Sequence, residues 1–260
     1  MGQVPGRAAL LLIGDGRLAG HLSTYFRARG LDLTQWSRRR GVVGATGPRR
    51  DPWKTLPALV AGADRVLLAI RDDSLASFVK ANRRDPESVW VHFSGSTVVD
   101  GAWTAHPLCT FAGPAYDPEI YAAVPFIVER EGPPLAELVP GLDNPSWSIP
   151  RAAKPLYHAL CVAAGNFTQM LWLELFRAFE ARLGLPARAA VPYLRQTARG
   201  LEQNSLAPTR DVLTGPIARG DHGTIRRNLE ALGAAGLVDL AGVYEAFLEL
   251  AGARRLEEVA

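Results

Sequence analysis

Apolar and polar positions follow two different periods at the start of the chain. Residues 8–13 are continuously apolar, as in a buried strand, and apolar residues then recur at helical spacing from Leu18 to Phe26. Gly30 ends that helix, and residues 31–36 have the pattern of a second strand. Strand, turn, helix and strand within about 30 residues have the dimensions of a βαβ unit.

The same alternation continues to residue 149. Apolar segments of strand or helix length follow one another at 56–63, 64–70, 74–81, 88–95, 122–129, 134–142 and 146–149. Strands that alternate with helices are typical of a parallel sheet with helices on both faces. We therefore predict an α/β protein with a doubly wound parallel sheet of the Rossmann type over residues 1–150.

The pattern changes near residue 150, after which the sequence predicts helices only. Residues 155–184 form a long apolar segment that Gly184 closes, and Pro155 suits a first helical turn. Because this segment is apolar around much of its circumference, we expect it to be buried on several sides. Further helices are predicted at 187–203, 222–236 and 237–259. We place a second, all-α domain at residues 151–260.

Composition narrows the class of protein. Of the 260 residues, 48% are hydrophobic and 21% are charged, and the net charge is +3, all typical of a folded globular protein. Cys109 and Cys161 lack the spacing of a disulfide framework or a zinc site, so we predict no metal. We find no secretion signal and no apolar run near the ~18 residues of a membrane span, and we expect a cytoplasmic protein without membrane or nucleic-acid partners.

The turn after the first strand is the strongest chemical signal. Residues 14–19, GDGRLA, fit the G-x-G-x-x-A pattern of dinucleotide-binding turns. The first glycine allows the tight turn, the second lets the backbone approach a pyrophosphate, and the helix that follows attracts anions to its N-terminus. A glycine turn of purely structural role is the alternative. The predicted contacts are Gly14, Gly16, Arg17, Leu18 and Ala19.

The end of the second strand indicates which dinucleotide binds. An NAD site usually carries an Asp or Glu about 20 residues beyond the first glycine, where it accepts hydrogen bonds from the ribose 2′-OH. This chain carries Ser37, Arg38 and Arg39 near that point. A hydroxyl and guanidinium groups suit a 2′-phosphate, so we predict NADP as the cofactor. The alternative is a solvated basic loop within residues 37–51.

Two later strand ends belong to the same crevice. Ile70, Arg71 and Asp72 follow one buried strand, and Ser94 follows the next. Open α/β sheets bind ligands outside the carboxyl ends of their strands. We therefore predict that these four residues contact the cofactor near the nicotinamide ribose, with turn-forming roles as the alternative.

Seven segments resemble, in this order, a group of bacterial proteins with an N-terminal Rossmann-like domain and a C-terminal helical domain of unassigned function. The segments are GDGRLAGHL, WSR, HFSGS, AHPLCTF, VPFIVE, YHALCVAAGNF and TGPIARGD. The group, mostly described as NADP oxidoreductases, is related to pyrroline-5-carboxylate reductase and to the 6-phosphogluconate and β-hydroxyacid dehydrogenases. The resemblance implies a C-terminal domain like that of 6-phosphogluconate dehydrogenase. It also implies NADP in the first domain, a small-molecule substrate in a cleft between the domains, and a homodimer formed through the helices.

Hydride transfer to a carbonyl or imine requires a proton donor or a cation beside the nicotinamide. The related dehydrogenases carry Lys-x-x-x-Asn near the start of their second domain, where this chain has Lys154 and His158. We predict His158 as proton donor or carbonyl polariser, with Lys154 and Asn166 orienting the substrate. His158 could instead be a hydrogen-bonded core residue, and Pro155 biases Lys154 away from helical geometry.

Four further residues are predicted to contact the substrate: His106, Tyr157, Thr214 and Arg219. Arg219 would bind a carboxylate or phosphate group. A turn role for His106 and a helix cap at Asp221 are the alternatives. The predicted function is an NADP-dependent oxidoreductase, and the alternative is an NADP-binding sensor or scaffold protein without catalysis.

Overall fold

The computed structural model describes residues 8–45, 51–205 and 213–252. Parts of the predicted basic loop at 37–51 and of the predicted helix at 237–259 lie outside these residues. The chain divides into two compact units, Met1–Gly165 and Asn166–Ala260. This division falls after the helix that begins at Lys154, whereas the sequence predicted a boundary at residue 150.

An eight-stranded sheet runs through the first unit. Its strands are β1 (Ala9–Ile13), β2 (Asp32–Ser37), β3 (Gly41–Val42), β4 (Arg65–Leu68), β5 (Val89–His92), β6 (Trp103–Pro107), β7 (Phe126–Glu129) and β8 (Ser146–Ile149). They lie in the order β3-β2-β1-β4-β5-β6-β7-β8. All neighbours are parallel except the β2–β3 and β6–β7 pairs. The sequence did not predict β3, which has two residues, or β6, which ends in proline.

Helices cover both faces of the sheet, which confirms the doubly wound α/β prediction. Leu10 and Leu12 of β1 belong to one core cluster, and Leu11 and Ile13 belong to the other, because successive strand side chains point to opposite faces. The helices that pack on the sheet are α1 (Arg17–Ala28), α2 (Pro52–Ala61), α3 (Asp72–Asn82), α4 (Pro118–Ala123) and α5 (Leu135–Leu138). The first cluster includes residues of α1, α4 and α5, and the second includes residues of α2 and α3.

The remaining helices bury few of their residues within the described chain. A 3₁₀ turn and α6 (Lys154–Val162) end the first unit, and a π-helical turn (Ala163–Phe167) leads into the second. The second unit contains α7 (Thr168–Leu183), α8 (Ala187–Gln203), α9 (Pro216–Arg219), α10 (His222–Ala234) and α11 (Val238–Ala251). Among its described residues only Ile225 and Leu248 are buried.

The long apolar helix differs from the prediction in two respects. We expected this helix to be buried on several sides. In the structure, α7 has no buried residue and α6 has only Lys154 buried, because the chain itself does not cover the apolar faces of the helix. The continuous helical run Arg151–Leu183 also has the length and apolar composition to cross a membrane. The expectation that no segment reaches that length is therefore wrong for this run.

Candidate functional site

The turn after β1 packs closely against the end of β4. Gly14 has a φ of 136°, and a Cβ at this position would overlap the carbonyl oxygen of Ala69. The Gly14 N–H donates to the carbonyl of Trp36 at 2.8 Å, and its own carbonyl accepts from Gln35 Nε2 at 2.9 Å. A Cβ on Gly16 would meet nothing within 4 Å. The turn therefore leaves the first N–H groups of α1 open to an anion.

A cleft of about 840 Å³ opens at this edge of the sheet. The predicted cofactor residues that line it are Gly14, Gly16, Arg17, Leu18, Ser37, Arg38, Arg39, Ile70 and Arg71. Ala19 is fully buried in the core behind the turn, as its packing role requires. Asp72 and Ser94 are not among the lining residues.

Two of the three arginines after β2 pair with Asp15, and the third does not. Arg39 donates to Asp15 through Nε at 3.2 Å and Nη2 at 3.1 Å, and Arg40 Nε lies 3.9 Å from the same carboxylate. The hydrogen bonds from Arg39 hold the pKa of Asp15 below its usual value. Arg38 lines the cleft and makes no hydrogen bond or ion pair with any residue that the structure describes. Of these three arginines, Arg38 is therefore the one available to a phosphate, whereas Arg39 is held by Asp15 of the glycine turn.

Sequence reasoning missed Trp53, which lines the same cleft. This side chain is 51% exposed, and its ring stands edge-on to buried Trp36 with centroids 5.4 Å apart. An exposed aromatic ring in a cleft wall offers a flat face for stacking. The sequence did contain a signal for the start of α2, the helix that positions Trp53. Asp51 and Pro52 are typical of a helix cap and a first helical residue, and the Asp51 carboxylate accepts from the Trp53 N–H at 3.1 Å.

A hydroxyl network joins the start of α3 to the loop after β5. Asp72 Oδ2 accepts from Ser94 Oγ at 2.6 Å, Ser96 Oγ at 3.2 Å and Thr97 Oγ1 at 3.3 Å. The Thr97 N–H donates to Ser94 Oγ at 3.0 Å. Asp72 and Ser94, both predicted to contact the cofactor, are therefore hydrogen-bonded to each other, and the carboxylate fixes the shape of the loop that contains Gly95.

Two histidines converge on Gly95. A Cβ on Gly95 would lie 2.7 Å from His158 Cδ2 and 3.0 Å from His106 Nε2, so only glycine fits there. The two imidazole rings are perpendicular, with centroids 6.1 Å apart. Tyr157 OH lies 2.7 Å from His106 Nδ1. Three predicted residues, His106, Tyr157 and His158, thus form one group at the end of β5, and all three are half-buried.

Lys154 is directed into the protein instead of toward a ligand. Its side chain is 1% exposed, and Nζ lies 3.2 Å from Glu129 Oε1 and hydrogen-bonds Thr104 Oγ1 and the carbonyl of Thr97. Burial lowers the pKa of Lys154, and the adjacent Glu129 carboxylate opposes that shift. The geometry gives Lys154 a structural role, unlike the substrate-orienting role that the sequence suggested.

His92 extends this buried network toward the loop after β5. Its Nδ1 accepts from the Ser94 N–H at 3.3 Å, and its Nε2 lies 3.1 Å from Thr104 Oγ1. Burial lowers the pKa of His92 to about 3, with Lys154 adding to the shift, so the ring is neutral at pH 7. Since Nδ1 accepts, Nε2 carries the proton and donates to Thr104, which donates in turn to Glu129 Oε1 at 2.9 Å.

The other predicted residues belong to the second unit. Asn166 is exposed in the π-helical turn, and Thr214 and Arg219 are exposed beside α9. Asp221 caps α10, since its carboxylate accepts from the Thr224 N–H at 3.0 Å. The capping alternative is therefore correct for Asp221. Within residues 8–45, 51–205 and 213–252 no three His, Cys, Asp or Glu side chains gather as metal ligands would.

Part of the chain matches a protein-family model. Residues 125–250 match the family model described as a domain of unknown function, DUF2520. The match begins at β7 and includes Lys154, Tyr157 and His158. No curated protein matches the sequence.

Solved structures share the fold over almost the whole chain. A Bacteroides fragilis protein, provisionally named an NADP oxidoreductase, has a TM-score of 0.69 at 18% identity, covering 96% of this chain and 98% of its own. Protein TM1727 of Thermotoga maritima has a TM-score of 0.64 at 19% identity, with coverages of 95% and 100%. Plasmodium falciparum pyrroline carboxylate reductase, solved with NADP bound, has a TM-score of 0.58 at 12% identity, with coverages of 94% and 97%. The resemblance seen in the sequence is thereby confirmed as a Rossmann-like fold with a C-terminal helical region.

Proposed function

We propose that this Rossmann-like protein with a DUF2520 domain is an NADP-dependent oxidoreductase that transfers a hydride to or from a small carbonyl or imine. One observation carries the proposal: an open glycine turn and an unpaired arginine line a single cleft at the carboxyl ends of β1, β2 and β4. The similar folds of the B. fragilis protein named for NADP and of the NADP-bound reductase support the same cofactor.

The cleft residues fit NADP group by group. The N–H groups at the start of α1, beside the unobstructed Gly16, suit the pyrophosphate. The Arg38 guanidinium suits the 2′-phosphate, and Trp53 offers a stacking face for the adenine. A volume of about 840 Å³ is also within the range of about 300–1,000 Å³ that is usual for ligand sites.

The chain's own residues supply the rest of the chemistry. Bound NADPH provides the hydride. Asp72 holds the loop after β5 through Ser94, so that Gly95 lies against both histidines. His158 is the proposed proton donor to the reduced substrate, because its imidazole lies at this loop and makes no hydrogen bond with any described residue.

Arg38→Ala tests the cofactor assignment. Calorimetry is expected to show that the wild-type chain binds NADPH more tightly than NADH. The substitution is expected to weaken NADPH binding about 10- to 100-fold, the value of a charge-assisted hydrogen bond, and to change NADH binding less than about twofold. Arg84→Ala, at an exposed arginine outside the cleft, is the control. Absence of binding by either coenzyme would contradict the proposed function, whereas equal affinities would contradict only the 2′-phosphate contact.

A non-catalytic NADP sensor or scaffold is the second candidate. One observation favours it: Lys154, at the position where the related dehydrogenases carry their lysine, is buried and paired with Glu129. A chain that binds NADPH but oxidises it with no carbonyl or imine in a broad panel would support this candidate. Turnover with any member of the panel would exclude it.

We infer a homodimer formed through the helices. Large apolar side chains along α6, the π-helical turn and α7 are more than half exposed. The two apolar residues that are buried among the described residues of the second unit cannot form its core. A second copy covers these faces better than lipid does, because Thr168 and Gln169 interrupt the apolar run. The exposed side chains are Leu156, Leu160, Phe167, Met170, Leu173 and Leu183.

Sedimentation velocity tests this assembly. The wild-type chain is expected to sediment as a dimer at micromolar concentration. Met170→Glu combined with Leu173→Glu is expected to produce monomer, because the charges would have to be buried in the interface. A Trp147→Glu variant, which changes an exposed apolar residue on β8, is the control and is expected to remain dimeric. A monomeric wild-type chain would contradict the inference.

A further inference from the structure

The group at Gly95 contains a histidine whose two ring nitrogens have different surroundings. His106 Nδ1 is 2.7 Å from the hydroxyl of Tyr157, whereas Nε2 is directed toward Gly95 at the end of β5. No described residue forms a hydrogen bond with Nε2. Nδ1 is therefore held by the protein, and Nε2 is available to a ligand.

The hydrogen-bond chain behind His106 sets which nitrogen carries the proton. Burial and the nearby Cys161 side chain raise the pKa of the Tyr157 phenol, so it remains protonated. A phenol donates more strongly to an imidazole nitrogen than to sulfur, which is a weak acceptor. The Tyr157 O–H therefore donates to Nδ1, and the proton of the neutral ring lies on Nε2.

Burial, together with the surrounding charges, keeps this ring neutral. Burial lowers the pKa of His106 to about 4, and His158 and Lys154 on α6 add to the shift, while Asp72 on α3 opposes it. A ring with that pKa is uncharged above about pH 5. It can therefore donate one hydrogen bond, but it cannot supply a proton as a strong acid.

We propose that the Nε2–H of His106, oriented by Tyr157, donates a hydrogen bond to the carbonyl oxygen of the substrate, which makes the substrate an aldehyde or ketone. This inference rests on the proposed function and chooses between its two substrate classes. An imine must be protonated before it accepts a hydride. The N–H of the resulting iminium ion would face the Nε2–H of His106, and two donors cannot form a hydrogen bond with each other. A carbonyl oxygen has lone pairs that match the Nε2–H.

The reduction balances with two histidines in different roles. The carbonyl carbon accepts the hydride and its two electrons from NADPH, and the π-electron pair of the C=O bond moves to oxygen. The Nε2–H of His106 stabilises the developing negative charge. His158 donates a proton to that oxygen, and solvent returns a proton to His158. The products are an alcohol and NADP⁺.

Nitrogen NMR of the full-length protein tests the orientation of His106. The chain has five histidines, so ¹⁵N-histidine labelling gives few signals, and His106→Gln identifies the signal of interest. The expected result is a neutral ring with the proton on Nε2 from pH 5.5 to pH 8. Tyr157→Phe keeps the aromatic ring and is expected to produce a mixture of the two tautomers. A proton on Nδ1, or a charged ring at pH 7, would overturn the inference.

The same signal tests the substrate class. In protein saturated with NADP⁺, cyclohexanone is expected to shift the His106 Nε2 resonance, and the cyclic imine 1-pyrroline is not. An unchanged resonance with the ketone, or an equal shift with the imine, would overturn the inference. Calorimetry distinguishes failure of this inference from failure of the proposed function. A chain that binds NADPH but has the proton of His106 on Nδ1 contradicts only the role of His106, whereas a chain that does not bind NADPH contradicts the proposed function.

Discussion

Replacing Lys154 by methionine is expected to lower the free energy of unfolding by about 3–5 kcal/mol, the usual cost of breaking a buried ion pair from one side. Methionine retains most of the apolar stem but leaves Glu129, also 1% exposed, without its ammonium partner. Arg151 does not replace the lysine, because its Nε is 3.7 Å from Glu129 Oε2 and neither atom has a hydrogen-bond partner. Urea denaturation followed by circular dichroism measures the change.

The double variant Lys154→Met/Glu129→Gln is the matched control. It removes both charges, and Thr104 remains in place to hydrogen-bond the new amide. We expect it to recover more than half of the lost stability, because a neutral buried group has a smaller desolvation cost than an unpaired carboxylate. A single variant as stable as the wild-type chain would contradict the structural role of Lys154.

His158→Ala is expected to reduce kcat with a carbonyl substrate about 10²- to 10⁴-fold, the usual contribution of general acid catalysis. NADPH affinity is expected to change little, because His158 is not among the residues that line the cofactor cleft. Stopped-flow measurement of NADPH oxidation gives kcat, and calorimetry gives the affinity. His222→Ala, at the start of α10, is the control histidine. Full activity in His158→Ala would show that another group gives the proton.

The order of elements and the cofactor turn could be predicted from local sequence alone. Short apolar runs mark parallel strands buried on both faces, and the pattern of residues 14–19 requires a turn with a positive φ, which the structure shows at Gly14. Strands β3 and β6, which form the antiparallel pairs, were not predicted for a different reason. β3 and β6 pair with strands whose own signal is strong, and a short segment beside such a strand needs no strong pattern of its own.

The chemistry of individual side chains was less accessible from the sequence. Trp53 was not predicted as a site residue, because its position in the cleft depends on its contact with Trp36, which lies on β2. Lys154 matched a related motif by spacing, but Glu129 and Thr104 draw its ammonium group into the protein. Arg38 and Arg39 are adjacent residues of the same type, so the sequence does not show which of them is free to bind a phosphate. In the structure, Arg39 is paired with Asp15 and Arg38 is not.

The sequence by itself determined the alternation of strands and helices in the first unit, the glycine turn after β1 and the basic character of the segment that follows β2. These properties depend on neighbouring residues, through backbone conformation and hydrophobic period. Only the tertiary structure decided that Lys154 is a buried structural cation, that Arg38 is unpaired, and that His106, Tyr157 and His158 meet at Gly95. Those outcomes depend on which side chains from different elements meet, such as Lys154 with Glu129 and Tyr157 with His106, and no local pattern encodes those contacts.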